Sequence, residues 1–455
     1  MGRSRPLIWL APLLFPLFLG AQTAPELANI LQRLDRLEQE NRTLSEEVRA
    51  LRADLAAARL TKGAGDSAGV QPSAAATPAP GATVDEKLDI QQQRIDEQAQ
   101  TKVEASQRFP IRITGMALFN AFLNSKQSGG VNYPILASEP GVRSSGATLR
   151  QTIVGLEFHG PATVWGGRVH GSIYMDFFPG TTYPEMRLRT GSVGIDWQSR
   201  SVTVGIDKPI FNGREPSSLA QVGISPLTGA GNLYEWLPQI RAEQDFHFSR
   251  STGLRAVMGV VQTHEIGPYG QSNDITEASR PGLEGRFEFF HSFDEERRLE
   301  IAPGFHTSTT HSQGMSVPSS LFSLDWFFNP WRRVEFSGAF YTGQNVAHLG
   351  TGTGQGYQID PEDVCIVESR GGWGQITIHT LKRLDLHFFT GQTDDSNSVL
   401  SPGNIGKNLL YGGNAYFHLA PNVLLGLEAT QLRTVYLNRG TRINNHYDLA
   451  LAYLF

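Results

Sequence analysis

Between Asp207 and Trp236 the sequence reads DKPIFNGREPSSLAQVGISPLTGAGNLYEW. This stretch carries Lys208, Arg214, Glu215 and Glu235 among glycines, prolines and small residues. Arg187, Arg189, Arg241 and Arg255 flank it in the chain. Charges of this kind act through their field. Set across a water-filled narrowing, opposed cations and anions sort solutes by charge and dipole. The length and glycine content of the segment let it fold inward, where its acids would face a basic wall. The other placement is a solvated external loop. Arg187 and Arg189 share a parity, and their register also permits a rim position. The inward placement is the expectation, with Lys208, Arg214, Glu215, Glu235, Arg241, Arg187 and Arg189 forming a selectivity zone.

Covalent or metal chemistry finds little footing. No G-x-S-x-G stretch is present, although His170 and Asp176, or His247 and Asp245, share strand faces. His264/Glu265 and His306/His311 lack a ligand-defining spacing. The single cysteine, Cys365, excludes an internal disulfide and any zinc site of cysteine pairs. No catalytic residue, metal or cofactor is therefore expected. The net charge of −5 gives no basic footprint for nucleic acid.

The elements that must position these charges are strands. From Phe109-Pro110 onward the pattern alternates with period two. Sixteen strand candidates follow, from Ile111–Asn124 to Ile443–Phe455. Residue 212 to 237 connects Val202–Phe211 with Gln239–Phe248, and 310–319 reads as a connection as well. In QIRAEQDFHFS one face holds Gln239, Arg241, Glu243, Asp245 and His247, and the other Ile240, Ala242, Gln244, Phe246 and Phe248. LEGRFEFF splits the same way, with Glu284, Arg286 and Glu288 opposite Phe287 and Phe289. An Arg or Lys facing acyl chains at mid-depth costs about 2–4 kcal/mol, so the polar faces must meet water. Connections mostly alternate long and short, the pattern of a transmembrane barrel with short turns on one side. PGTTYP is a short exception on the long side. Sixteen strands leave a bore too wide for side chains to fill. The expected fold class is an all-β transmembrane barrel over 108–455, with about 16 antiparallel strands. The bore reads as an open, charged diffusion path.

Upstream, residues 1–21 read as a signal peptide: Arg3 and Arg5, then an apolar run too short and proline-rich to span a membrane. Residues 25–60 read as a coiled coil. Leu27, Leu34, Asn41, Val48 and Leu55 recur every seventh position, as do Ile30, Leu37, Leu44 and Leu51. This narrow apolar seam implies self-association, with Asn41 setting register. A Gly/Ala/Ser/Pro linker spans 61–83, and a shorter helical segment spans 84–106. The even strand count places both barrel ends, and the coiled coil, on the periplasmic side.

The closing YDLALAYLF alternates Tyr447, Leu449, Leu451, Tyr453 and Phe455 with Asp448, Ala450 and Ala452. It resembles the terminal signal of outer-membrane proteins. Together with the heptads of 27–58, IDEQAQTKVEAS before the first strand and VTVGIDKPIF before the long connection, the chain is similar to the trimeric porins of Gram-negative bacteria. The resemblance is strongest to those with a periplasmic coiled coil, the DcaP-like and phosphate-selective porin O/P group. It implies a homotrimer in outer-membrane lipid, an inward-folded loop, and passive diffusion of small hydrophilic solutes or ions. The phosphate-selective members use runs of lumenal Arg and Lys. Here acids interleave with the bases, so phosphate specificity is not carried over. An outer-membrane tether and a barrel enzyme are the competing readings.

Overall fold

The computed structural model describes residues 111–180, 183–263, 276–277, 281–312, 314–360 and 363–455. The expected signal peptide, coiled coil with its seam, linker and short helical segment lie outside the described residues.

Sixteen antiparallel strands close into a barrel. They are β1 (Ile111–Asn124), β2 in two pieces (Ser145–Thr148 and Ile153–Ala162), β3 (Arg168–Asp176), β4 (Arg187–Asp196), β5 (Arg200–Asp207) and β6 (Leu237–His247). Then follow β7 (Thr252–Val261), β8 (Gly282–Ser292, prolonged by Thr276–Glu277), β9 (Arg298–Ser312), β10 (Met315–Trp331) and β11 (Val334–Gln344). The last are β12 (Glu368–Leu381), β13 (Leu384–Asp395), β14 (Ile405–Ala420), β15 (Val423–Tyr436) and β16 (Gly440–Leu454). Each pairs with the next, and β16 returns to β1 from Met116↔Leu454 to Asn124↔His446. Closure leaves no unpaired edge, which a strand structure in lipid requires.

Alternation decides what faces out. On β16, Tyr447, Leu449, Leu451 and Tyr453 are exposed on the exterior, while Asp448, Ala450 and Ala452 are buried inside. Exposed Val193, Val204, Ile240, Phe322, Phe340, Ile376, Phe388 and Leu427 continue this apolar belt around the barrel.

Three stretches depart most from the sequence expectation. The strand expected over Val202–Phe211 stops at Asp207. Pro209 has no N–H to give a ladder, and the Ile210 N–H donates to Glu284 instead (2.7 Å). The connection expected over 310–319 is a tall hairpin whose ladder runs to Ser312↔Met315. The loop around Cys365 holds a small hairpin of its own, Tyr357–Asp360 with Asp363–Ile366.

The apolar core lies inside the barrel, beneath the segment 208–236. Ile210, Phe211 and Leu233 pack with Val257, Leu321, Tyr341 and Leu349. Leu227 and Ala230 pack with Trp373, Phe389, Leu410 and Leu432. Leu219 packs with Leu118, Ala450 and Ala452.

Candidate functional site

Segment 208–236 leaves the wall after β5 and crosses the lumen. Its own base is tied by the Asn212 side-chain amide, which donates to the Leu233 carbonyl and to Asn232 Oδ1. Gly231 turns with φ +96°, and a Cβ there would sit 2.1 Å from the Gly372 carbonyl oxygen, so only glycine lets the loop lie this close to β12.

One half of the wall holds the loop mostly with neutral groups, the one acid being Glu428 on β15, which accepts from the Ser218 hydroxyl (2.6 Å). Asn120 on β1 donates to the Leu219 carbonyl (2.8 Å). Gln151, between the two pieces of β2, donates to the Ala220 carbonyl (2.9 Å) and accepts from the Val222 and Gly223 N–H groups (both 2.8 Å). Gln375 on β12 accepts from Ser217 N–H (2.8 Å), and Asn414 on β14 donates to the Ser217 carbonyl (2.8 Å). Thr393 accepts from Gly231 N–H (2.9 Å), and Asn408 donates to the Gly229 carbonyl (2.7 Å). Buried backbone groups of an irregular segment must find partners, and these side chains supply them.

The other half is ionic. Asp176, wholly buried on β3, receives both Arg187 (Nη2–Oδ2 2.6 Å) and Arg189 (Nη1–Oδ2 2.8 Å). The β3–β4 ladder slips between Tyr174↔Thr190 and Met175↔Leu188, so Arg189 is the extra residue of a bulge. That slip turns both arginines to the lumen rather than the rim. Each also donates to the loop, Arg187 to the Gly223 carbonyl (2.6 Å) and Arg189 to the Val222 carbonyl (2.8 Å). Both guanidinium groups lie over Trp236, at 4.7 and 4.9 Å from its ring centroid.

Glu215 pairs with Lys208 (2.5 Å), and Glu235 is exposed beside Trp236. Burial raises the Tyr234 hydroxyl above its ordinary value; Arg189 and Arg187 pull it down, while Glu215 and Glu235 push it up. One hydroxyl thus lies within electrostatic reach of four of the charges singled out in the sequence. Arg241 is held by Asp207 (3.0 Å) at the foot of the loop. Arg214 does something different. It reaches away to a wall of acids: Asp325 (2.9 Å), Glu300, and Glu288 at 3.5 Å. Arg286 shares Asp325 (2.7 Å) and Glu288 (2.6 Å) with it. The wall opposite the loop's arginine is therefore acidic. Arg255, on the water-exposed side, pairs with Asp245 (2.9 Å) and Glu243 (3.0 Å). His170 pairs with Asp196 (2.8 Å), not with Asp176. No group of three metal-ligating side chains gathers among the described residues.

A closed barrel, an apolar exterior and a lumen crossed by one loop invite comparison with solved structures. The outer membrane channel DcaP of Acinetobacter baumannii superposes with a TM-score of 0.65 at 14% identity, covering 76% of this chain and 97% of that one. This is the porin fold. An anion-selective porin from Comamonas acidovorans gives 0.54 at 11% identity, covering 76% and 99%. No protein-family model and no curated protein matches the chain.

Within this porin-type barrel, several key residues escape sequence reasoning. Asp176, Asp325 and Glu284 look like ordinary lumenal acids until the loop is in place. The amides Asn120, Gln151, Asn408 and Asn414 are equally inconspicuous. One signal was available. Leu118, Trp373, Phe389, Leu410 and Leu432 are apolar at inward positions. Strands with apolar residues on both faces are buried on both, and they mark where the loop docks.

Proposed function

We propose that the chain is an outer-membrane porin through which small hydrophilic solutes or ions diffuse passively. The reading is carried by the division of the lumen. The loop fills one half with apolar and amide contacts, and charged side chains border the other half, where Lys208, Arg241 and Arg255 stay partly exposed. Water remains where these charges remain partly exposed, since charge is costly to dry even when paired.

Lys208, Glu215, Glu235, Arg187, Arg189 and Arg241 form the selectivity zone in this reading. Arg214 serves it as an anchor. The two structural relatives are a channel and an anion-selective porin by name, which favours transport over the enzyme and tether alternatives. The solute is a small polar or charged molecule.

A homo-oligomer, expected as a trimer, follows from a second observation. β5 has 8 residues. At ~3.3 Å per residue and a tilt of ~40° such a strand rises about 20 Å, short of the ~25 Å apolar band. Its exterior Val202 and Val204 are nonetheless exposed and apolar. A second copy against this low wall would cover them. The coiled coil over 25–60 would then hold the copies together from the periplasm.

Reconstitution of the purified protein in planar bilayers tests the proposal. Stepwise conductance is expected. A sealed barrel that passes no current would return the enzyme or tether reading.

A further inference from the structure

The tall side of the barrel carries a feature that a pore does not need. Strands β12–β16 have 12 to 16 residues each, long enough to reach across the apolar band without cover. Their exterior is organised in rows. The row nearest the long-connection end holds Arg370, Asp394 and Lys407, directly paired across β12, β13 and β14. Asp394 takes both cations, at 3.4 and 3.3 Å. Beneath and beside them Arg433 is exposed, with no carboxylate at ion-pair distance among the described residues. It is held in place by neutral groups. Its Nε donates to Gln431 Oε1 (2.7 Å), its Nη2 to the Tyr411 hydroxyl (3.0 Å), and Gln431 is braced on Asn445 (2.9 Å). Three cations thus stand around Asp394, with Glu368 exposed two positions from Arg370 on the same face and outside ion-pair distance of Arg433.

Below this row the exterior opens into a groove of about 880 Å³. Gly413 and Ala429 form its floor, and Phe388, Leu427 and Tyr447 rise around it. The floor residues pair across β14 and β15, so the hollow is continuous.

We propose that this face binds one phosphorylated lipid of the outer leaflet. Its phosphate meets Arg433 and Lys407, and an acyl chain lies in the groove. A guanidinium prefers phosphate, which it meets with paired N–H donors. An exterior arginine near the membrane interface is tolerable, whereas a braced one without a carboxylate is arranged for an anion. The proposal rests on the outer-membrane part of the reading above, because that sets which lipid head the upper row meets. A second copy is better placed on the low wall at β5, where strands fall short of the apolar band.

The test titrates the full-length oligomer in non-ionic detergent with bis-phosphorylated lipid A and with its dephosphorylated form, read by native mass spectrometry. The phosphorylated form is expected to bind at least tenfold tighter. Arg433→Ala with Lys407→Ala abolishes that preference, and Ala429→Trp, which fills the groove, weakens both lipids. Equal binding of the two lipids, or an unchanged preference in the double variant, overturns the proposal. Dissociation of the oligomer by Ala429→Trp without loss of lipid assigns the face to a second copy and overturns it as well. Wild-type conductance in planar bilayers reads the porin proposal separately: current without a lipid preference removes the lipid site alone.

Discussion

The two halves of the lumen hold the same loop by opposite means. Against β1, β2 and β12–β15 it is fastened chiefly by the buried amides Asn120, Gln151, Asn408 and Asn414, with Glu428 as the single acid that touches it. Against β3, β4 and β8–β10 it is fastened by Arg187, Arg189, Asp176, Glu284 and Asp325. A satisfied amide is inexpensive to dry, while a charge must be paired or stay wet. The neutral half therefore fixes position and the ionic half leaves a field facing water. Arg214, Arg286 and Asp325 are the exception, a buried ionic knot where the loop must be both held and dry.

The division can be broken outright. Replacing residues 212–233 with a short flexible linker should raise single-channel conductance several-fold and erase ion preference. Unchanged conductance would mean the loop does not narrow the pore. Next in size is the ionic knot. Asp325→Leu removes the most buried carboxylate that Arg214 and Arg286 share and leaves them Glu288 and Glu300, a loss of up to ~3–5 kcal/mol. Asn414→Leu on the neutral half should cost less, ~1–3 kcal/mol. Thermal unfolding in detergent ranks the two; equal losses would end the distinction between the halves.

Selectivity offers a finer probe. Arg187→Gln with Arg189→Gln should move the reversal potential toward cations, and Glu215→Gln with Glu235→Gln toward anions. Shifts of one sign in both variants would place these groups outside the narrowing. The smallest effect concerns His348, in the long loop before β12. Burial, with His306 beside it, lowers its imidazole from 6.5 to about 3. As pH falls below 6.5 the unfolded chain takes up that proton first. Stability is therefore full above 6.5 and declines toward pH 3. His348→Phe should flatten that part of the melting-temperature profile. A profile as steep as the wild type's would show that His348 is already protonated in the fold.

Alternation made the barrel legible. Tyr447, Leu449 and Leu451 against Asp448, Ala450 and Ala452 fix the outward face of β16 without any knowledge of its neighbours, because a pleated strand has only two sides. Segment 208–236 announced itself by its length, its glycines and its four charges. Its partners stayed hidden. The bulge that brings Arg189 beside Arg187 depends on how β3 and β4 register against each other. Whether Arg214 meets Glu215 or Asp325 depends on strands more than a hundred positions away. The sequence alone therefore determined the period, the count of strands and, outside the β3–β4 bulge, which face of each strand meets the lumen, since those follow from local geometry and the cost of charge in lipid. Only the tertiary structure decided which half of the lumen is dry, because that turns on where one loop comes to rest and which side chains reach its backbone.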